Sequence, residues 1–147
     1  MRGSLSEDKM KLTQSRIVTR DVPLLARFYE ELTGIVPNGS DEYVEFKFLE
    51  GALAICSKRS ADLFGGGGAV PAANRSVILD FEVKDVDKDR TRLRDLVREF
   101  VLEPTNQPWG NRSMIFRDPD GNLINFYTII NERPSNCSCG AKSSNLP

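Results

Sequence analysis

The sequence contains no histidine. That absence removes the commonest imidazole metal ligand and the usual general base near neutral pH. Every His-dependent triad and every His-containing zinc or iron site is excluded with it. Cysteine is scarce and odd in number, three in 147 residues, so there is no disulfide framework and no paired-thiol metal motif. No apolar run approaches the roughly 20 residues that span a bilayer. Neither charge sign dominates. Twenty basic and 21 acidic residues leave a net charge of −1, which gives no bulk electrostatic case for nucleic acid. No secretory signal is visible, and the expectation is a reduced, cytoplasmic protein away from membranes.

What is present suffices for one domain with a real core. Met1-Arg2-Gly3-Ser4 reads as a vector leader, and residues 1–10 are set aside as a flexible leader. Ile17-Val18-Thr19 is a short strand. Asp21 then caps a helix with Pro23 in its first turn, Gly34 as its stop, and Leu24, Leu25, Phe28 and Leu32 as its apolar stripe. Tyr43 to Phe48 alternates, with Val44, Phe46 and Phe48 on one face, and Ala52 to Cys56 follows as a second strand. Ser57 to Asn74 reads as a loose stretch in which Gly65-Gly66-Gly67-Gly68 forms a linker or lid, since a P-loop's Lys-Ser/Thr ending is missing. Ser76 to Val83 is a strand. Asp85 caps a second helix over Val86 to Phe100 with Leu93, Leu96 and Val97 inward, and Phe100 to Leu102 is a short strand. Glu103 to Gly110 is a loop carrying Trp109, the only tryptophan, and residues 131–147 form a polar tail expected to be disordered.

Between the loop and the tail lies a hairpin, Arg112 to Arg117 and Leu123 to Tyr127, turned by Asp118-Pro119-Asp120-Gly121. Alternation puts Leu123, Asn125 and Tyr127 on one face and Ile124 and Phe126 on the other. Asn125 is the polar residue singled out, either in a site or at a wet edge. The element order also repeats. Thr19-Arg20-Asp21-Val22 and Val83-Lys84-Asp85-Val86 lead into the two helices, and Glu50-Gly51-Ala52-Leu53 parallels Asp120-Gly121-Asn122-Leu123. One βαβββ unit is used twice, over about 11–57 and about 75–130, within a domain of 11–130. The fold class is α+β, two βαβββ modules forming a curved sheet around a groove.

The repeat, the Asp-Val helix starts and Phe116-Arg117-Asp118-Pro119-Asp120-Gly121-Asn122-Leu123-Ile124 resemble the glyoxalase, bleomycin-resistance and extradiol-dioxygenase group, the vicinal-oxygen-chelate superfamily. The resemblance implies four metal-ligand positions. Counted from the helix-start aspartates and the turn glycines, they fall on Gln14, Ile78, Ile55 and Asn125. Isoleucine cannot ligate, and neutral amide oxygens bind transition metals poorly. The expectation is therefore no metal and no cofactor.

The metal-free, bleomycin-resistance-like branch is similar also in Gln107-Pro108-Trp109-Gly110-Asn111-Arg112. It implies a cytoplasmic homodimer that sequesters a small planar or cationic molecule such as an antibiotic. The implied ligand-facing set is Gln14, Phe46, Trp109, Arg112, Asn125 and Tyr127. Trp109 either stacks on the ligand or plugs the barrel end. Two alternatives stay open: a metal-free enzyme using Glu45, Tyr43 or Tyr127 as acid or base, and a partner-binding module without a small ligand. Cys56 reads as a small core residue, and Cys137 and Cys139 as incidental.

Overall fold

A computed structural model describes residues 9–130. Residues 1–8 and 131–147, which hold most of the expected leader and all of the expected tail with Cys137 and Cys139, lie outside it. The chain divides into two units, one ending at Pro71 and the other beginning at Ala72.

The first unit runs β1 (Gln14–Thr19), α1 (Val22–Thr33), β2 (Asn38–Gly39), β3 (Tyr43–Phe48), β4 (Gly51–Ser57) and α2 (Lys58–Gly65). Its sheet has the order β1-β4-β3-β2, with β1 parallel to β4 and the other pairs antiparallel. Helix α1 starts where its aspartate can act as a cap. Asp21 Oδ1 accepts from Leu24 N at 3.1 Å, and Gly34, at φ 74°, closes the other end by donating to Glu30 O at 2.8 Å. Val22, Leu25, Phe28, Tyr29 and Leu32 are buried, as are Val44, Phe46, Leu53 and Ile55 on the sheet. Leu24, expected inward, is 45% exposed, and Tyr29 takes its place in the stripe. Each such side chain contributes about 1.5–3 kcal/mol of burial energy. Most of this core lies on the α1 side of the sheet, and Ala54 and Cys56 are buried on the other side.

The second unit repeats the plan: β5 (Ile78–Glu82), α3 (Val86–Arg92), β6 (Phe100–Asn106), β7 (Asn111–Arg117) and β8 (Leu123–Ile129), ordered β5-β8-β7-β6. Asp85 caps α3 by accepting from Asp87 N and Lys88 N. Val86, Leu93, Val97, Met114, Phe116, Ile124 and Phe126 are buried.

Three expectations need correction. Ser57 to Asn74 is not wholly loose, because Lys58–Gly65 is a helix, capped by Ser57 Oγ accepting from Ser60 N at 2.9 Å. The second helix ends at Arg92, not Phe100. Beyond it Arg94 N bonds Thr91 O and Leu96 N bonds Leu93 O, a tighter i to i−3 pattern that still buries Leu93 and Val97. Strand β6 continues to Asn106 past Pro104. The missing N–H is tolerated because β6 is an edge strand with register shifts on both sides of Leu102.

Candidate functional site

Each sheet has a face packed against α1 or α3, which holds most of the core, and a second face, on which Ala54, Cys56 and Ser113 are also buried. On the first sheet, register puts Gln14, Arg16 and Val18 on that second face with Ala52, Ala54 and Cys56 and with Tyr43, Glu45 and Lys47. On the second sheet the corresponding set is Ile78, Asp80 and Glu82, then Leu123, Asn125 and Tyr127, then Ser113, Ile115 and Arg117.

The six expected ligand residues fall into three groups. Gln14, Asn125 and Tyr127 lie on these second faces. Gln14 Nε2 donates to the Tyr43 hydroxyl at 3.1 Å. Asn125 Nδ2 donates to Asp80 Oδ1 at 2.9 Å, while Asn125 Oδ1 is buried and has no partner among the described residues. That amide therefore keeps one acceptor in reserve.

Phe46 and Arg112 lie elsewhere. Phe46 is 0% exposed, with its ring 6.3 Å from that of Tyr29 on α1. It is a core residue with no surface to offer a ligand. Arg112 is paired with Thr128 and shares the helix-covered face with Met114 and Phe116. Its guanidinium donates to both Asp87 oxygens, at 2.8 and 2.9 Å, and to Asn106 Oδ1 at 3.0 Å. The Arg112 hydrogen bonds hold the Asp87 carboxyl below the usual carboxylate range. Arg112 ties α3 to the sheet and points away from the face of Asn125.

Trp109, half-buried, stands apart on the β6–β7 turn. Gly110 O there accepts from Ile130 N at 3.0 Å, so the turn lies at the far end of β8. Asn125 is five residues back along that strand from Ile130, roughly 17 Å at the usual rise. A single small ligand touching both must be elongated.

The metal-ligand positions shift by one residue in the first unit. Gln14 pairs with Ala52, and Ile78 pairs with Leu123. The counterpart of Asn125 is consequently Ala54, and Ile55 faces α1. The cause is turn length: Leu49-Glu50 alone separates Phe48 from Gly51, whereas residues 118–122 separate Arg117 from Leu123. The four positions are thus Gln14, Ala54, Ile78 and Asn125. Two have no donor atom and two offer only amides, so these residues do not fit the metal that the superfamily resemblance implies. Among the described residues no group of three His, Cys, Asp or Glu side chains could hold a metal ion.

The first unit also contains a pocket that the sequence reading missed. It measures about 380 Å³ and lies between the second face of the sheet and α2, lined by Arg16, Val18, Tyr43, Ser60, Ala61, Phe64, Gly65 and Ala69. Of these, the sequence offers only Tyr43 as a candidate acid or base, and it marks Gly65 as part of a linker or lid. The alternation of Gln14, Arg16 and Val18 along β1 was the available signal. Helix α2 is fastened at its start, where Ser57 N donates to Glu42 O at 2.8 Å and Glu42 Oε1 accepts from Ser57 Oγ at 2.7 Å and Arg59 Nε at 3.3 Å. The Ser57 hydrogen bond, with Arg59 assisting, lowers the Glu42 pKa. The helix buries no side chain, and Phe64 is 86% exposed. At its end Gly66 and Gly67 adopt φ of 77° and 75°, a region that glycine enters without strain. Beside Val18 and Tyr43 lies Cys56, whose thiol is raised in pKa by burial and thereby kept unreactive.

Comparison with known proteins adds the following. A family model described as Glyoxalase/Bleomycin resistance protein/Dioxygenase superfamily matches residues 11–126. An uncharacterized protein of Bacillus subtilis, YraH, is 29% identical over 128 residues, 82% of this chain and 100% of that protein. A glyoxalase/bleomycin resistance protein/dioxygenase from Nocardioides superposes with a TM-score of 0.73 at 20% identity, covering 93% of this chain and 95% of that one. A lactoylglutathione lyase from Agrobacterium tumefaciens superposes with a TM-score of 0.61 at 20% identity, covering 82% and 95%. At such identity the two structural likenesses establish the fold alone. Among the described residues no helix is long and apolar enough to cross a membrane.

Proposed function

The chain belongs to the glyoxalase/bleomycin resistance protein/dioxygenase superfamily, and from that premise we propose that it binds a small organic molecule without a resident metal ion. The observation that carries this reading is the donor set at the four ligand positions. Ala54 and Ile78 contribute nothing, and Gln14 is already engaged with Tyr43. Binding then rests on shape, hydrogen bonds and side-chain charge, which suits sequestration, where affinity and protein abundance are sufficient. The pocket of the first unit, at about 380 Å³, is near the lower end of the range for small-molecule sites. The unpartnered Asn125 Oδ1 supplies a further acceptor on the second unit. A homodimer acting on an antibiotic is the specific form of this reading that the family resemblance suggests.

A metal-free enzyme is the second reading. Tyr43 favours it, because the residue lines the pocket and its hydroxyl proton has no acceptor among the described residues. One experiment addresses both. A library of small molecules is screened by thermal shift, with and without EDTA, and each hit is recovered and weighed by mass spectrometry. The proposal expects melting shifts that EDTA leaves unchanged and ligands returned intact. Shifts that vanish with EDTA and return with one divalent metal would overturn the metal-free reading, and an altered mass would replace binding with turnover.

A further inference from the structure

We propose that the pocket of the first unit is a receptor for a small aromatic carboxylate, with Arg16 and Tyr43 holding the carboxylate and Phe64 of α2 closing over the ring. This rests on the small-molecule reading above and names the ligand's chemistry. Arg16 makes no ion pair or side-chain hydrogen bond among the described residues. A guanidinium on a strand usually finds a carboxylate, and here one is near. Glu45 shares the cross-strand row Arg16, Ala54, Glu45. It is instead set against Lys47, at 3.8 Å. The guanidinium keeps its full set of donors for something else, and its fork matches a carboxylate with two parallel hydrogen bonds.

Tyr43 adds a second donor by elimination. Its oxygen accepts from Gln14 Nε2 at 3.1 Å, and its own proton, with no acceptor among the described residues, can meet an anionic oxygen. The remaining lining is apolar or small: Val18, Ala61, Phe64, Gly65 and Ala69. Such walls suit a ring, and one phenol beside one guanidinium balances a single negative charge better than two. A cationic ligand, which the family resemblance suggested, would meet the Arg16 charge. Phe64 is almost wholly exposed without a ligand. Because the hydrogen bonds that tie α2 to the rest of the unit lie, among the described residues, at its Ser57 end, and the helix runs into glycines at the other, it can settle onto a ring and cover that side chain.

The test uses the full chain and three probes of one shape: 2-naphthoate, 2-naphthamide and 2-naphthylmethylammonium, with 2-naphthyl phosphate as a fourth. Calorimetry measures affinity, and melting curves check that each variant folds. Arg16 is exposed, so Arg16→Gln should melt like the parent. The carboxylate should bind at least about tenfold more tightly than the amide, and the ammonium should not bind. Arg16→Gln should cost the carboxylate about tenfold or more and leave the amide unchanged, while Tyr43→Phe should cost a smaller factor. Equal affinity for carboxylate and amide, or an indifferent Arg16→Gln, would overturn the proposal while leaving small-molecule binding intact. A phosphate preferred over the carboxylate would also overturn it. If no naphthyl compound binds, the proposal is wrong, and the library screen decides separately whether the binding reading survives.

Discussion

Asp118 should be the most sensitive polar position of the second unit. Its carboxylate is buried and accepts three hydrogen bonds within the hairpin turn: Oδ1 from Asp120 N at 2.9 Å and Asn122 N at 2.9 Å, and Oδ2 from Asn122 Nδ2 at 2.8 Å. A hydrogen bond to a charged group contributes about 1.5–3 kcal/mol, and a buried donor left unmet costs about 1–3 kcal/mol. Water at the hairpin tip can replace part of this, because the neighbouring Pro119 is exposed. Asp118→Ala should therefore cost about 2–4 kcal/mol. Asp118→Asn keeps an oxygen for the two backbone donors. Asn122 can turn its own amide to offer an oxygen to the new NH₂ group, so the loss should be nearer 1 kcal/mol. For a chain of this size, 1 kcal/mol moves the midpoint by about 2–4 °C, which places Asp118→Ala roughly 5–15 °C below the parent. Trp109 is the only tryptophan and belongs to the same unit, so its emission during heating reports on the affected half. A fall of less than about 2 °C for Asp118→Ala, or an Asp118→Asn as damaging as the alanine, would refute the reasoning from charge and unmet donors.

Phe46→Ala, at a position with no exposed surface, should cost about 3–5 kcal/mol by urea unfolding. A variant that keeps full stability and loses only ligand affinity would restore the ligand-contact role. The Asp87 carboxyl is depressed chiefly by the hydrogen bonds from Arg112, with its charge assisting. Its contribution is therefore present above the ordinary aspartate range near pH 4 and lost as pH falls through the lower folded-state value. Arg112→Ala should flatten that acid limb of an unfolding-against-pH curve, and an unchanged limb counts against the pairing. Trp109→Ala should leave the melting curve nearly intact and weaken a true ligand about five- to tenfold if the indole stacks on it, whereas unfolding would make the indole a plug. Light scattering should return twice the 16.4 kDa chain mass if the homodimer suggested by the family forms, and a monomer at micromolar concentration would remove it.

Local chemistry written into one stretch was legible. Asp21 and Gly34 announced both ends of α1, and Asp118, Pro119 and Gly121 announced the hairpin. Features that depend on a partner strand or a distant face were not. Helix α2 has no apolar stripe that a sheet must bury, since Lys58, Arg59, Ser60 and Asp62 interrupt it. Its existence rests on the Ser57 cap and the tie to Glu42. Ile55 and Ala54 could not be told apart without the pairing of β1 with β4. Arg112 is different: alternation with Met114 and Phe116 already placed it on the core face, and only the family resemblance of Gln107 to Arg112 made it look like a ligand residue. Arg16 was overlooked because a charged residue on a short strand reads as solvated until a helix is found above it.

The unequal hairpin turns bear on how far the two repeated halves correspond residue by residue. With Leu49-Glu50 in one and residues 118–122 in the other, the side chains one and three places after the turn glycine look away from the core in the first copy and toward it in the second. Counting from the glycine therefore does not carry a side chain's facing from one half to the other; strand pairing does. The two glycine motifs, alike as text, have stopped being interchangeable parts.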